Sequence, residues 1–327
     1  MDAYELLTRN AAEVVTDEEV HELAADPDGK RAYVGYEPSG VLHIGHLLTA
    51  TKLIDLQEAG MDVVVLLADV HAYLNGKGTF EDIRETAERM RAQFLAYGLD
   101  DAKTEFVYGS EYQLDEEYVL DLHTLELETS LNRAQRAMAE LQSGETARVS
   151  HVVYPLMQAL DIEYLDLDLA VGGMDQRKVH MLAREELPSL GYDVRPAIHT
   201  PIIADLTTGE GKMSSSEGET ISMEDSTEEL TEKVNAAFCP PERDPDGDLE
   251  NPVCQLFEYH VFPRFESVTV ERPDKYGGDV TYTDFDSFAT ALDEGELHPA
   301  DAKSTLSTYL DELIAPGREK LAELRAA

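Results

Sequence analysis

The sequence predicts a doubly wound α/β unit on a parallel sheet, followed by a smaller, mainly helical C-terminal unit. Three observations carry this expectation. Strand-length apolar runs alternate with segments of helical periodicity up to about residue 204. One run, Val63 to Ala68, is apolar at every position, as in a parallel strand covered on both faces. From Ser226 onward, short helical segments are punctuated by Pro240, Pro241, Pro252, Pro263, Pro273 and Pro299. A length of 327 residues agrees with two domains of roughly 150 residues each. The expected boundaries are 1–204 for the α/β unit, 205–225 for a loop and linker rich in Thr, Gly and Ser, and 226–327 for the helical unit.

Thr16-Asp17-Glu18-Glu19 has the form of a capping box, with Val20, Leu23 and Ala24 following at helical spacing. Arg31 to Tyr36 reads as a strand and Glu37-Pro38-Ser39-Gly40 as a turn, since the residue before proline is driven extended. His43 to Ala59 places Leu47, Leu48, Leu53, Ile54 and Leu56 on a helical period and stops at Gly60. Thr79 caps a helix expected to reach Tyr97, with Gly98 as its stop. Thr104 to Tyr108 is a strand. A helical insertion occupies about 114–150, with Leu114 to Gln142 mostly helical, and Val149 to Asp161 is again helical. Leu167 to Val171 is a strand, Asp175 to Leu187 a helix and Ala197 to Ala204 a strand, an alternation that fits right-handed βαβ crossovers.

Composition excludes several classes. The sequence has 43% hydrophobic residues in periodic blocks, which excludes a disordered chain. Two cysteines, Cys239 and Cys254, exclude a disulfide scaffold and lack zinc-type companions. No apolar run reaches the ~18 residues of a membrane span, and Met1-Asp2-Ala3-Tyr4-Glu5 lacks the regions of an export signal. A cytoplasmic chain without a membrane partner is therefore expected.

The formal net charge is −41, with the acid spread along the chain. A solvated surface accommodates acid in this quantity only against self-repulsion, which molar salt screens by shortening the Debye length to about 3 Å. Lysine is scarce, at 10 against 16 arginines. The composition points to a protein from a salt-accumulating organism. On electrostatics alone the charge argues against a nucleic-acid partner.

Two motifs carry chemistry. His43-Ile44-Gly45-His46 stands between a turn and a helix start, where N–H groups and dipole suit phosphate and Gly45 admits a close approach. Alone it fits equally a pair of locally satisfied helix-start histidines or, less well, a metal pair. Gly211-Lys212-Met213-Ser214-Ser215-Ser216 lies in the loop after the last strand. Its lysine could reach transferring phosphates, and an ordinary interdomain linker would read the same way.

Together the motifs are far more specific. H-I-G-H near the start of a doubly wound unit, with K-M-S-S-S just after it, resembles the class I aminoacyl-tRNA synthetases. Within them the chain is similar to the tyrosine branch of archaeal and eukaryotic-cytosolic type. The resemblance is carried by Tyr33-Val34-Gly35-Tyr36-Glu37-Pro38-Ser39-Gly40, Ala68 to Leu74, Tyr154 to Asp161, Val171 to Lys178 and Glu296 to Asp301. It implies a Rossmann-like catalytic domain and a helical anticodon-binding domain, ATP with Mg2+ as cosubstrate, no protein-held metal, and a homodimer acting on tyrosine and its tRNA.

The resemblance also implies roles. Tyr33 and Asp161 would bond the hydroxyl of the substrate tyrosine. Tyr154, Gln158 and Gln176 would hold its amino group, with Glu37 and His71 lining the pocket. Gly35, His43, Gly45, His46, Lys212, Met213 and Ser216 would bind ATP. His43, His46, Lys212, Ser214 and Ser215 would stabilise the transferring phosphates. Arg133, Arg136, Arg177 and Lys178 would meet the acceptor end of the tRNA, and Tyr276, His298 and Asp301 the anticodon.

Elementary chemistry agrees with the phenol assignment, because a buried hydroxyl needs a donor and an acceptor, which Tyr33 and Asp161 supply. By themselves these two read as a strand core residue and a helix-end residue. The two basic clusters, Arg133 with Arg136 and Arg177 with Lys178 and Arg184, read equally as helix faces in local ion pairs. One departure from the family pattern stands out: Glu217 and Glu219 occupy loop positions where Lys and Asn are common. The tryptophan branch shares both motifs and is the nearest rival reading; a small nucleotidyltransferase and a silent RNA-binding paralogue fit less well.

Overall fold

A computed structural model of the chain describes residues 1–138, 148–213, 219–245 and 249–326. It forms two compact units, one of residues 1–40 with 49–201, the other of residues 41–48 with 202–327.

The first unit opens with α1 (Ala3–Thr8), β1 (Glu13–Val15), α2 (Asp17–Ala25) and β2 (Arg31–Tyr36). The Thr16 capping box is formed: its side chain accepts from the Glu19 N–H while Glu19 returns to the Thr16 N–H. Then come α3 (Ile44–Ala59), of which the part from Thr49 belongs to this unit, β3 (Asp62–Leu67), α4 (Asp69–Leu74), α5 (Phe80–Tyr97) and β4 (Thr104–Tyr108). Thr79 caps α5 and Gly98, at φ +129°, ends it, as the sequence predicts. The unit closes with α6 (Glu116–Glu128), α7 (Leu131–Met138), α8 (Val149–Tyr164), β5 (Leu169–Gly173), α9 (Arg177–Glu186) and β6 (Ala197–Thr200). The expected insertion thus appears as α6 and α7, and its residues 139–147 lie outside the described set.

The strands form one sheet in the order β1-β6-β5-β2-β3-β4. All pairs are parallel except β1 with β6 at the edge. The sequence reading did not foresee α1 and β1, because six and three residues are too short to show a period. β6 stops at Thr200, four residues short of expectation, at Pro201, which cannot donate to a ladder. β2 pairs with β5 only at Ala32–Leu169 and Tyr33–Ala170. Beyond Tyr33 the carboxyl ends of these strands part, where the strand order reverses, and such a switch point is where doubly wound sheets bind ligands. Gly35 is the one exposed residue of β2.

α3 is buried on most of its surface, including two charges. The Lys52 ammonium donates to the carbonyls of Leu6 and Leu7 at 3.0 and 3.1 Å and lies 3.4 Å from Asp55. Arg9 also pairs with Asp55. The buried charges are therefore fully partnered and pin α1 to α3.

The second unit contains α10 (Thr227–Ala236), α11 (Pro252–Leu256) continuing into a π-turn at Phe257–Val261, β7 (Val268–Val270), β8 (Val280–Tyr282), α12 (Phe285–Asp293) and α13 (Pro299–Ala326). The sequence reading expected only short helices here. Instead α13 runs 28 residues with Pro316 inside it. Its buried row of Ala302, Leu306, Leu310, Ile314 and Leu321 packs along one face and outweighs the one donor that proline removes. The β7–β8 hairpin was not foreseen either.

Candidate active site

Asp161 lies in the last turn of α8 and is fully buried. Its Oδ1 accepts three hydrogen bonds, from the Tyr112 hydroxyl at 2.8 Å, the Gln113 amide at 2.8 Å and the Tyr118 hydroxyl at 2.9 Å. Burial pushes its pKa up to about 6 against the pull of those donors. Its Oδ2 has no protein partner. Tyr33, on the central strand β2, is also buried, and its hydroxyl is likewise unpartnered. Burial and the Asp161 charge push that phenol's pKa up, and Gln158 acts on it without a hydrogen bond of normal geometry. The His71 Nε2 is a further buried atom without a partner.

The remaining residues expected around tyrosine lie in the same unit. The Gln158 amide donates to Gln176 at 3.0 Å. Glu37 accepts from Asn75 and pairs with Lys77 at 3.6 Å, while burial raises its pKa. The His71 ring meets the Tyr154 ring edge-on at 4.4 Å between centroids, and burial lowers the imidazole pKa to about 4. Glu37, Asp161 and Tyr33 all act on the Tyr154 phenol, which places Tyr154 among them.

Sequence reasoning missed Tyr112, Gln113 and Tyr118, the donors to Asp161. Only Tyr118 left a signal: with Leu122 and Leu125 it forms the buried stripe of α6. Tyr112 and Gln113 follow a 3₁₀ turn, Gly109–Glu111, that Asp69 holds by accepting the Ser110 N–H at 2.8 Å. Their distance in sequence from Asp161 leaves no local pattern to read.

In the second unit, His43 Nδ1 accepts the Gly45 N–H at 3.2 Å, and His46 Nδ1 accepts the His43 N–H at 3.4 Å. An N–H donated to Nδ1 leaves the ring proton on Nε2, so both imidazoles are Nε2–H donors. Burial lowers the His43 pKa to about 4 and that of His46 well below its usual value, which keeps both rings neutral. The rings pack at 3.8 Å between centroids. A Cβ on Gly45 would sit 3.1 Å from the His43 ring, which would have to give by a few tenths of an ångström.

The expectation of spare N–H groups at this helix start is corrected. The Ile44 N–H bonds the Ile221 carbonyl at 2.8 Å, the Gly45 N–H bonds His43, and the His46 N–H bonds the His43 carbonyl at 2.8 Å. The imidazoles, rather than the backbone, are the donors this turn presents.

The loop before the K-M-S-S-S run is tightly built. Asp205 Oδ1 accepts from the N–H and hydroxyl of both Thr207 and Thr208, at 2.8–3.0 Å. Gly209 sits at φ +72°, where a Cβ would be 2.5 Å from the Glu250 carbonyl. The Met213 N–H bonds Ile203 at 2.8 Å and its side chain is buried, while Lys212 is exposed beside it. Ser214, Ser215, Ser216 and Glu217 lie outside the described residues; Glu219 is exposed.

Three of the expected basic residues make local ion pairs: Arg133 with Glu185 at 2.7 Å, Arg177 with Glu13 at 2.7 Å and Arg184 with Glu19 at 3.0 Å. Arg136 is exposed and Lys178 half-buried. Tyr276 is 64% exposed between β7 and β8, with the Lys275 ammonium over its ring. His298 is exposed and starts α13, its Nδ1 accepting the Ala300 N–H and its carbonyl the Asp301 N–H. Arg272 brings these together, donating to Gly278 in the hairpin connection and to Glu296 before His298. Cys239 and Cys254 are shielded thiols; burial raises both pKa values, that of Cys239 to about 11. Among the described residues no group of three or more His, Cys, Asp or Glu could hold a metal, and no helix is long and apolar enough to cross a membrane.

Residues 28–315 match the family model of class I tRNA synthetases for tryptophan and tyrosine. The chain is 72% identical over 325 residues to the tyrosine–tRNA ligase of Halobacterium salinarum, covering 99% of each. It is 69% identical over 328 residues to that of Halorubrum lacusprofundi, covering 99% of this chain and all of the relative. Among solved structures it resembles the tyrosyl-tRNA synthetase of Archaeoglobus fulgidus complexed with L-tyrosine, at a TM-score of 0.91 and 50% identity, over 98% of each chain.

Proposed function

The chain belongs to the class I tRNA synthetases that serve tryptophan and tyrosine, and on that premise we propose how its residues perform the reaction. The activity is that of a tyrosine–tRNA ligase, and relatives from halophilic archaea agree with the salt adaptation read from the composition. The observation that carries the reading is the pair of unpartnered buried atoms, the Tyr33 hydroxyl and Asp161 Oδ2. A tyrosine phenol would donate to Asp161 and accept from Tyr33; tryptophan and phenylalanine offer no such group at that place.

Tyr154, Gln158 and Gln176 hold the amino group, with Glu37 and His71 as pocket walls. His43 and His46 donate through Nε2–H to the ATP phosphates, while Gly35, Gly45 and Met213 admit and border the nucleotide. The tyrosine carboxylate attacks the α-phosphorus in line and pyrophosphate leaves, with charge on the phosphates met by the imidazoles, Lys212, Ser214, Ser215 and Ser216. Magnesium would arrive with the nucleotide and neutralise phosphate charge. No enzyme nucleophile takes part, and the tyrosyl group passes to the terminal adenosine of the tRNA.

Arg133, Arg136, Arg177 and Lys178 meet the acceptor end. Tyr276, His298 and Asp301 meet the anticodon by stacking and hydrogen bonds. We assign residues 1–204 to catalysis, 205–225 to the K-M-S-S-S loop and linker, and 226–327 to anticodon binding, in a cytoplasmic homodimer. Support for the dimer is Leu120 and Leu127, one face of α6, at 65% and 85% exposure. Tyrosine-dependent ATP–pyrophosphate exchange in concentrated KCl tests the reading. Exchange with tyrosine and none with tryptophan is expected, and the reverse preference would refute it.

A further inference from the structure

Two elements outside the expected sites converge on Arg177. β1 is a three-residue edge strand, and Glu13 stands directly opposite His199 in its antiparallel pairing with β6. Both Glu13 oxygens lie within hydrogen-bond reach of Arg177 Nε, at 2.9 and 2.7 Å. Glu13 Oε2 is also 3.1 Å from His199 Nδ1. His199 Nε2 is 3.0 Å from His180 Nδ1, and both rings are buried. His180 follows Arg177 by three residues on α9, so it rises from the same helix face. The four side chains form one row of contacts, Arg177 to Glu13 to His199 to His180. The His180 and His199 rings share one hydrogen bond, while His199 Nδ1 faces the carboxylate at ion-pair distance without a hydrogen bond of normal geometry and His180 Nε2 has no protein partner. The two neutral histidines have no other visible task in the reaction.

We propose that Glu13, backed by the His199–His180 pair, is a positioning residue for tRNA: it holds the Arg177 guanidinium in the orientation that meets the acceptor end. This rests on the assignment of Arg177 to that end. A long arginine side chain loses rotamer freedom when it binds, and fixing it beforehand moves that cost into folding. At molar salt long-range attraction to phosphate is screened, so preset short-range contacts gain weight. The edge strand thereby becomes part of the recognition machinery.

The test compares Glu13→Gln, Arg177→Ala and the double variant in concentrated KCl. It reads the KM for tRNA in aminoacylation and, separately, pyrophosphate exchange without tRNA. Glu13→Gln should raise the tRNA KM roughly tenfold, the scale of one charge-assisted contact, with exchange unchanged. In the Arg177→Ala background it should add nothing. If Arg177→Ala raises the tRNA KM and Glu13→Gln does not, the inference falls while the assignment of Arg177 stands. If Arg177→Ala leaves the tRNA KM unchanged, the assignment itself falls, and the inference with it. Additive effects, or equal losses in both readouts, would also overturn it. His199→Gln, which spares the Glu13–Arg177 pair, should give a smaller rise and keeps the test open if Glu13→Gln does not fold.

Discussion

Tyr33 and Asp161 lie near enough for the carboxylate to raise the phenol's pKa, yet they share no hydrogen bond, and the Tyr33 hydroxyl and Asp161 Oδ2 are both buried without a protein partner. Each unpaired buried polar group costs about 1–3 kcal/mol. On the proposed assignment a substrate phenol would satisfy both at once, and relief of that cost on binding would supply part of the preference for tyrosine.

Asp161 must be ionised to accept from the substrate, and burial holds its pKa at about 6, above the ordinary 3.8. Below about pH 6, kcat/KM for tyrosine should fall about tenfold per pH unit, since that profile reports groups of the free enzyme. The stability sign is opposite to the usual carboxylate. Below about pH 4 the group is protonated folded and unfolded and costs nothing; as pH rises to about 6 the folded state loses roughly 3 kcal/mol. A tyrosine pH profile flat from pH 5 to 8 would contradict both statements.

Tyr118→Phe removes the hydroxyl that lies 2.9 Å from both Asp161 Oδ1 and the Met157 carbonyl, and so one of the three donors to Oδ1. Thermal unfolding should report a loss of about 1–2 kcal/mol. The acid limb of the tyrosine profile should move to higher pH, because a carboxylate with fewer donors is harder to ionise.

Gly45→Ala crowds the His43 ring, which must give by a few tenths of an ångström. The KM for ATP in exchange should rise several-fold while that for tyrosine stays put, since displacement of a positioning group is felt by the ligand it positions. A rise confined to tyrosine would contradict the placement of His43 on ATP.

Lys212→Ala should lower the rate of tyrosine activation about 10²–10³-fold, the scale of one lost transition-state charge contact, with tyrosine affinity nearly unchanged. Pre-steady-state adenylate formation with equilibrium tyrosine binding separates the two. Equal losses would argue against a role confined to the transferring phosphates.

With a net charge of −41, dilution from molar to low salt should unfold the chain, seen as lost helical circular dichroism. Retention of full signal and activity would remove salt adaptation from the account. The affinity for tRNA should change little between one and three molar KCl, because counterion release offers little drive there.

Much of this was legible in the sequence where the signal is local. Capping at Thr16 and Thr79, the stops at Gly60 and Gly98, and the unbroken apolar run from Val63 in β3 depend on neighbours a few residues apart. Both signature motifs are contiguous. The reading failed where distant contacts decide. β1 exists because β6 accepts it, α13 persists through Pro316 because its buried row holds it, and the Gly45 and Ile44 N–H groups are spent on His43 and Ile221. The donors that hold Asp161 come from 43 to 49 residues away, beyond any periodic pattern. The basic residues drew their acidic partners from other elements, Glu13, Glu19 and Glu185, which a charge count along one segment cannot see.

The most direct test of the central claim is the ratio of kcat/KM for tyrosine over phenylalanine in pyrophosphate exchange, measured for the protein as it stands and for Asp161→Asn. Tyrosyl-tRNA synthetases are themselves the standard example of such discrimination, on the order of 10⁵ without editing, because a site built for a hydroxyl leaves its polar groups unpaired when the hydroxyl is missing. The account predicts a ratio near that order, reduced by at least tenfold in Asp161→Asn through loss of tyrosine activity. A ratio that Asp161→Asn leaves unchanged would contradict it.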